Sequence, residues 1–250
     1  MYFNDVHIIY YVAIIIFGTL IGKFVNWANY RLPNSQKVLS LEFFIKQKQY
    51  KQNYFVILVN AIIYVVILYK FGIKSTFIAN LELIKYLILT PMLLSVFVID
   101  FKSQIIPNRL NLTIFELGLI IAFSYGWSNV AITINMLLGM LAGGGIFLLI
   151  ALISKFILGK DSVGLGDVKL MGALGLFVGL ANIVLISILS FIMAAILSIV
   201  LLITKTKKAD ENISFGPFIV IASFISVFVP FNTILTILLK ICTLGLYKIK

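Results

Sequence analysis

The sequence predicts an all-α fold: a polytopic membrane helix bundle of about eight transmembrane helices, with the N-terminus outside. Three observations support this. Hydrophobic residues make up 62% of the 250 and charged residues only 12%, against about 45–50% and about 25% in a soluble domain. The apolar residues collect in runs close to the roughly 20 residues a helix needs to cross the hydrocarbon core. Lysine and arginine alternate in density from one connecting loop to the next, the pattern that sets orientation in a membrane. The length fits one membrane-embedded domain, 1–250, rather than several.

Taken in order, the first run covers 8–22. It has no basic stretch before it and no small-residue cleavage pattern after it, so it reads as a retained span and not a signal peptide. A polar, basic, Gln-rich loop at 26–53 follows, with a short interfacial helix expected over 39–50. Further spans are expected at 54–71, 83–99, 110–125, 131–158, 168–180, 183–204 and 215–239. The run 168–180 is short for a full crossing, and Pro230 predicts a kink or split in the last one. Ala142-Gly143-Gly144-Gly145 has no strand or basic side chain beside it, so it reads as close helix packing and not a phosphate loop.

The net charge of +11 is distributed with the topology. Lys23, Arg31, Lys37, Lys46, Lys48, Lys51, Lys102, Arg109, Lys155, Lys160, Lys169, Lys205, Lys207 and Lys208 share one side, fourteen of the twenty cations. Lys70, Lys74, Lys85, Lys240, Lys248 and Lys250 fall on the other. The excess is the positive-inside signal. It places the long loop in the cytoplasm and argues for membrane lipid, not nucleic acid, as the partner.

One cysteine, Cys242, and one histidine, His7, exclude an internal disulfide, a zinc site built on Cys pairs and His-based catalysis. Chemistry then falls to carboxylates, hydroxyls or lysines. Of nine acidic residues, Asp5 and Glu82 lie on the outer side, and Glu42 reads as a solvated loop charge. Asp210 and Glu211 form a polar turn with Asn212. Glu116, about two turns inside its span, lines a cavity or simply reaches toward the interface. Asp161 either attracts a basic substrate segment or is a solvated loop charge. Asp100 closes one span and Asp167 opens another at the same end. The topology therefore sets both at one depth on one membrane face. Two carboxylates brought close cannot both ionise easily, so one holds a proton while the other acts as base. Asp167 stands in Gly164-Leu165-Gly166-Asp167-Val168-Lys169-Leu170, where glycines free the backbone to bend and let another chain approach. The plainer alternative is that Asp167 caps the helix that follows.

Gly164-Leu165-Gly166-Asp167 with Lys169 resembles the GxGD signature of intramembrane aspartyl proteases, and its wider context resembles the bacterial type IV prepilin peptidases. Asp100 followed by Ile106-Pro107-Asn108 is similar to their first catalytic motif. Gly22-Lys23-Phe24-Val25-Asn26 with Tyr30-Arg31-Leu32-Pro33 is similar to their N-terminal motif, and Phe215-Gly216-Pro217-Phe218 to their C-terminal Phe-Gly-Pro-Phe. The resemblance implies an aspartic endopeptidase of the bacterial inner membrane that removes the leader from prepilin or pseudopilin substrates at the cytoplasmic face. It implies Asp100 and Asp167 as catalytic residues. Gly164, Gly166, Lys169, Pro107 and Asn108 would bind substrate or shape the site. Many members carry two Cys-x-x-Cys pairs in the first cytoplasmic loop, a zinc-type module, whereas 33–52 here contains no cysteine. No metal is expected, and no cofactor for proteolysis. N-methylation of the new N-terminus is expected to be retained, with S-adenosylmethionine as its cofactor. One alternative is a proton- or cation-coupled transporter using the same aspartates, but transporters set such residues near the bilayer midplane, often in paired repeats. A non-catalytic assembly protein is another, and it would not need both aspartates.

Overall fold

The computed structural model describes residues 2–4, 6–40, 42–45, 52–158, 164–204 and 214–243. Two short strands, β1 (Tyr2–Phe3) and β2 (Val6–His7), pair antiparallel at the start. Helices α1 (Ile8–Arg31), α2 (Glu42–Ile45), α3 (Tyr54–Phe71), α4 (Phe77–Ser103) and α5 (Asn108–Gly126) follow. Then come α6 (Val130–Leu158), α7 (Leu165–Ile203), α8 (Gly216–Phe228) and α9 (Phe231–Cys242). Asp5, Asp161, Asp210 and Glu211 lie outside the described residues, as do 46–50 of the expected interfacial helix.

The eight expected apolar ranges fall on α1 and α3 to α9. Among the described residues five helices are long and apolar enough to cross a membrane, and the bent pair α8 and α9 makes six if it is one span. The runs 168–180 and 183–204 are two helical arms of α7 that meet at a backbone break at Gly179, as the two expected runs imply. Helix α5, with Arg109, Asn111 and Glu116, falls outside this set by composition, but at 19 residues it is long enough to cross. The chain is a multi-pass membrane protein, and its described residues fall into two compact units, Met1–Ile134 and Asn135–Lys250.

In the first unit, Gly18 and Gly22 let α1 lie directly on α3. A Cβ at Gly18 would stand 2.9 Å from the Ala61 Cα, and one at Gly22 2.8 Å from the Ile57 Cα. This small-xxx-small spacing permits backbone contact in a membrane, where apolar burial gives helices no preference for each other over lipid. Asn60, fully buried, donates from Nδ2 to the Gly18 carbonyl at 2.7 Å. Helix α4 carries Pro91 in its interior. Proline has no N–H, so the carbonyl four residues back, that of Leu87, loses its helical donor. The Tyr64 hydroxyl of α3 supplies it, donating to the Leu87 oxygen at 2.8 Å. Lys85, expected as a flanking charge, is instead buried in α4, 4.5 Å from the Tyr86 ring centre and 3.9 Å from Glu82.

In the second unit, α6 and α7 meet backbone to backbone. A Cβ at Gly139 would stand 2.5 Å from the Gly175 carbonyl oxygen, and one at Gly143 would run into that of Met171. The glycine run at 143–145 is thus helix packing in part, since Gly145 faces open space. Leu170, Met171, Leu174 and Phe177 of α7 are fully buried behind this contact. Gly179 interrupts α7 at φ 77 and ψ 177, a conformation open to glycine and strained for other residues. Side chains satisfy the break: Asn135 accepts from the Leu180 N–H at 3.3 Å, and Asn182 donates to the Val178 carbonyl at 3.1 Å. Phe147, Phe191, Phe215 and Phe218 form a ring cluster that anchors the start of α8, where Pro217 takes a first-turn position. Helices α8 and α9 are bent by 116° next to Pro230, so the split expected there occurs.

Candidate active site

Asp100 lies in the last turn of α4 and is 4% exposed, with Val96 and Ile99 buried beside it. Gln104, in the left-handed region at φ 53, closes the helix by donating its N–H to the Asp100 carbonyl at 2.8 Å. The chain then runs extended through buried Ile106 to Pro107, which caps α5; the Pro107 carbonyl accepts from Leu110 and Asn111. Asp100, Pro107 and Asn108 therefore share one helix–turn–helix corner. Pro107 fixes the entry angle, since its φ is pre-set for the turn, and Asn108 is exposed.

Asp167 is 9% exposed in the first turn of α7. The cap reading does not hold. Gly164 is the N-cap, and its carbonyl accepts from Asp167 N–H at 3.0 Å and Val168 N–H at 3.3 Å, so Asp167 is the third helical residue. A Cβ on Gly164 would stand only 3.3 Å from Asp167 Oδ2; glycine is what lets the carboxylate lie against this backbone. Gly166 is half-buried and Lys169 exposed in the same turn. The first turn of α7 presents the positive end of its dipole to Asp167, and the last turn of α4 the negative end to Asp100.

The remaining carboxylates divide differently. Glu116 is exposed on α5, which favours its plainer reading. Glu42 is not simply solvated. It pairs with the Arg31 guanidinium at 2.8 Å, and Arg31 also donates to Ser40 Oγ at 2.7 Å and Gln36 Oε1 at 3.1 Å. The guanidinium lies 4.5 Å from the Trp27 ring centre, while Trp27 Nε1 donates to the Val38 carbonyl. One arginine thus gathers much of the loop 34–42. No three His, Cys, Asp or Glu side chains lie together as a metal set among the described residues.

Sequence reasoning missed two cavities beside the Asp100 corner. One, of about 410 Å³, is bordered by Asn26, Asn29, Asn34 and Asn53 and, from α4, by Lys102 and Ser103. The other, of about 300 Å³, shares Pro33, Ile99 and Ser103 with it and reaches Pro107 and Asn108. The density of asparagine around 26–53 was the available signal.

Residues 87–199, which hold both aspartates, match the sequence model of the type IV leader peptidase family. A prepilin leader peptidase/N-methyltransferase of Pseudomonas aeruginosa is 33% identical over 141 residues, 56% of this chain and 47% of that protein. The proteins of the same name in Aeromonas hydrophila and Pseudomonas putida are each 28% identical. They cover 56% and 67% of this chain and 47% and 55% of their own. The chain spans about half the length of the relatives it matches. No solved structure matches it.

Proposed function

We propose that this chain, a member of the type IV leader peptidase family through residues 87–199, is an aspartic endopeptidase acting on prepilin-like proteins. It would act at the cytoplasmic face of the bacterial inner membrane, with 1–250 working as one peptidase domain. The observation that carries the reading is that the family-matched stretch contains two buried aspartates, each at a helix end. A carboxylate is costly to bury in a membrane protein and marks a functional position.

Asp100 and Asp167 are the catalytic pair. One carboxylate takes a proton from water as its oxygen attacks the scissile carbonyl. The other gives its proton to the leaving amine as the C–N bond breaks. Gly164 and Gly166 keep the Asp167 turn open to an extended substrate backbone, and Pro107 with Asn108 shapes the corner that carries Asp100. Lys169 anchors its turn at the lipid headgroups.

The relatives' second name extends the reading to N-methylation of the new N-terminus. S-adenosylmethionine, when bound, supplies an electrophilic methyl group. The described residues bordering the 410 Å³ cavity offer Lys102 and no carboxylate side chain, so they do not fit a cofactor that carries both a sulfonium and an ammonium.

Cleavage of a prepilin substrate in liposomes tests the peptidase. Asp100→Asn and Asp167→Asn should each abolish product while inserting normally, because the amide keeps the size but not the exchangeable proton. Near-normal cleavage by either variant removes that aspartate from the mechanism.

A further inference from the structure

We infer that an apolar slot between α1, α4 and α5 holds one acyl chain of an anionic phospholipid, and that Arg109 and Lys37 meet its phosphate. The slot has a volume of about 440 Å³, and every residue that borders it belongs to the first unit. Phe17, Ile21, Phe24 and Ala28 of α1, with Leu32 at its C-cap, line one side. Their spacings of three and four put them on a single face of the helix. Ile88 and Met92 of α4 and Leu110 and Thr113 of α5 line the other. Val38 and Leu39 border it from the loop that Arg31 gathers.

Shape selects the occupant. From Phe17 to Leu32 the α1 stripe runs about 22 Å at about 1.5 Å per residue. Spread over that length, the volume of about 440 Å³ gives a mean cross-section of about 20 Å², against about 80 Å² for a helix about 10 Å wide. A helix of a partner or substrate is too thick for the slot, and a single hydrocarbon chain is not. Water is a poor filler, because a buried water needs about two to four polar partners. The Tyr64 hydroxyl is committed to the Leu87 carbonyl at 2.8 Å and the Thr113 hydroxyl to the Arg109 carbonyl at 2.9 Å. Left empty, the walls would lose dispersion contacts on one side, and a lipid tail restores them.

Charge selects the headgroup. Arg109 is exposed and directly precedes Leu110, and its Nη1 donates to the Ser35 and Gln36 carbonyls at 3.1 and 3.3 Å. Those bonds hold the guanidinium beside the loop and leave its other nitrogens for a ligand. Lys37, also exposed, directly precedes Val38. Neither cation has a carboxylate partner among the described residues: Glu42 is taken by Arg31, and Glu116 of α5 does not border the slot. A guanidinium meets phosphate through paired N–H donors, and an ammonium adds a point charge. Leu110 follows Pro107 by three residues, so the bound chain ties the corner that carries Asp100 to α1.

Native mass spectrometry of the purified full-length chain in non-ionic detergent, with dioleoylphosphatidylglycerol as the probe, tests the assignment. Wild type should retain one molecule, at least tenfold more tightly than dioleoylphosphatidylcholine. Thr113→Trp, which fills part of the slot, should weaken retention at least tenfold, and Arg109→Gln should bring it down to the phosphatidylcholine level. As a second measurement that keeps the slot open, Thr113→Cys in a Cys242→Ser background places one thiol on its wall. The probe should slow maleimide labelling of that thiol, and glycerophosphoglycerol, the same headgroup without chains, should not. Equal protection by the headgroup alone would make this a free-phosphate site, and undiminished retention by Thr113→Trp would put the lipid elsewhere; either result overturns the assignment. Protection by a hydrophobic helical peptide and not by the lipid would make the slot a protein site and overturn it as well.

Discussion

Replacing Tyr64 by phenylalanine removes one hydroxyl and leaves the ring in place. That hydroxyl is the donor to the Leu87 carbonyl, which Pro91 has deprived of its helical partner. Tyr64 is 2% exposed, and the cavity of about 440 Å³ that borders it together with Leu87 and Pro91 is lined mainly by apolar side chains, a poor place for a replacing water. An unsatisfied buried carbonyl costs about 1–3 kcal/mol, and membrane surroundings keep it toward the upper half of that range. Tyr64→Phe should therefore lose about 2 kcal/mol. The same change in a Pro91→Ala background should lose less than about 0.5 kcal/mol, because alanine in place of the proline restores an N–H to the Leu87 oxygen. The coupling, read from a double-mutant cycle of unfolding midpoints in detergent, should be about 1.5 kcal/mol. Equal losses in both backgrounds would show that the tyrosine acts through packing and that the proline does not need it.

The glycines and the loop supply further tests. Gly175→Val should destabilise the chain by about 3 kcal/mol or more, since its Cβ would run into the Gly139 backbone. Gly145→Ala, with no atom within 4 Å of the added methyl, should be neutral or slightly stabilising by thermal unfolding. Gly166→Val should cut prepilin cleavage at least tenfold by stiffening the turn that carries Asp167; activity equal to wild type would make that glycine incidental. Arg31→Gln should increase proteolytic nicking within 34–42, whereas EDTA should change neither nicking nor cleavage. A chelator effect would refute the non-metal account of the loop.

The helical runs were legible because hydropathy reports where side chains prefer lipid, and that preference dominates this chain. Asp100 and Asp167 were legible for the converse reason: a carboxylate at the edge of such a run stands out. The division of α7 was legible too: 168–180 and 183–204 read as separate runs, and the backbone breaks between them at Gly179. A helix cap was the plainer alternative for Asp167, yet Gly164 takes that position and leaves the carboxylate inside the first turn. The Tyr64–Leu87 bond joins residues 23 apart, and Arg31 meets Glu42 across 11. Neither distance follows a local period, so both partnerships exist only once the chain has folded.

The loop gathered by Arg31 has a consequence for where such a protein can work. A thiolate–zinc module is ordered only while its sulfurs stay reduced and metal is supplied, because oxidation to disulfide or sulfenate destroys the ligands. A guanidinium held by Glu42, Ser40, Gln36 and the Trp27 face has no redox chemistry and needs no metal. Its sensitivity lies elsewhere: the Glu42 carboxylate is 43% exposed, and salt screens an exposed pair. The loop has in effect exchanged dependence on oxidant and zinc supply for a modest dependence on ionic strength.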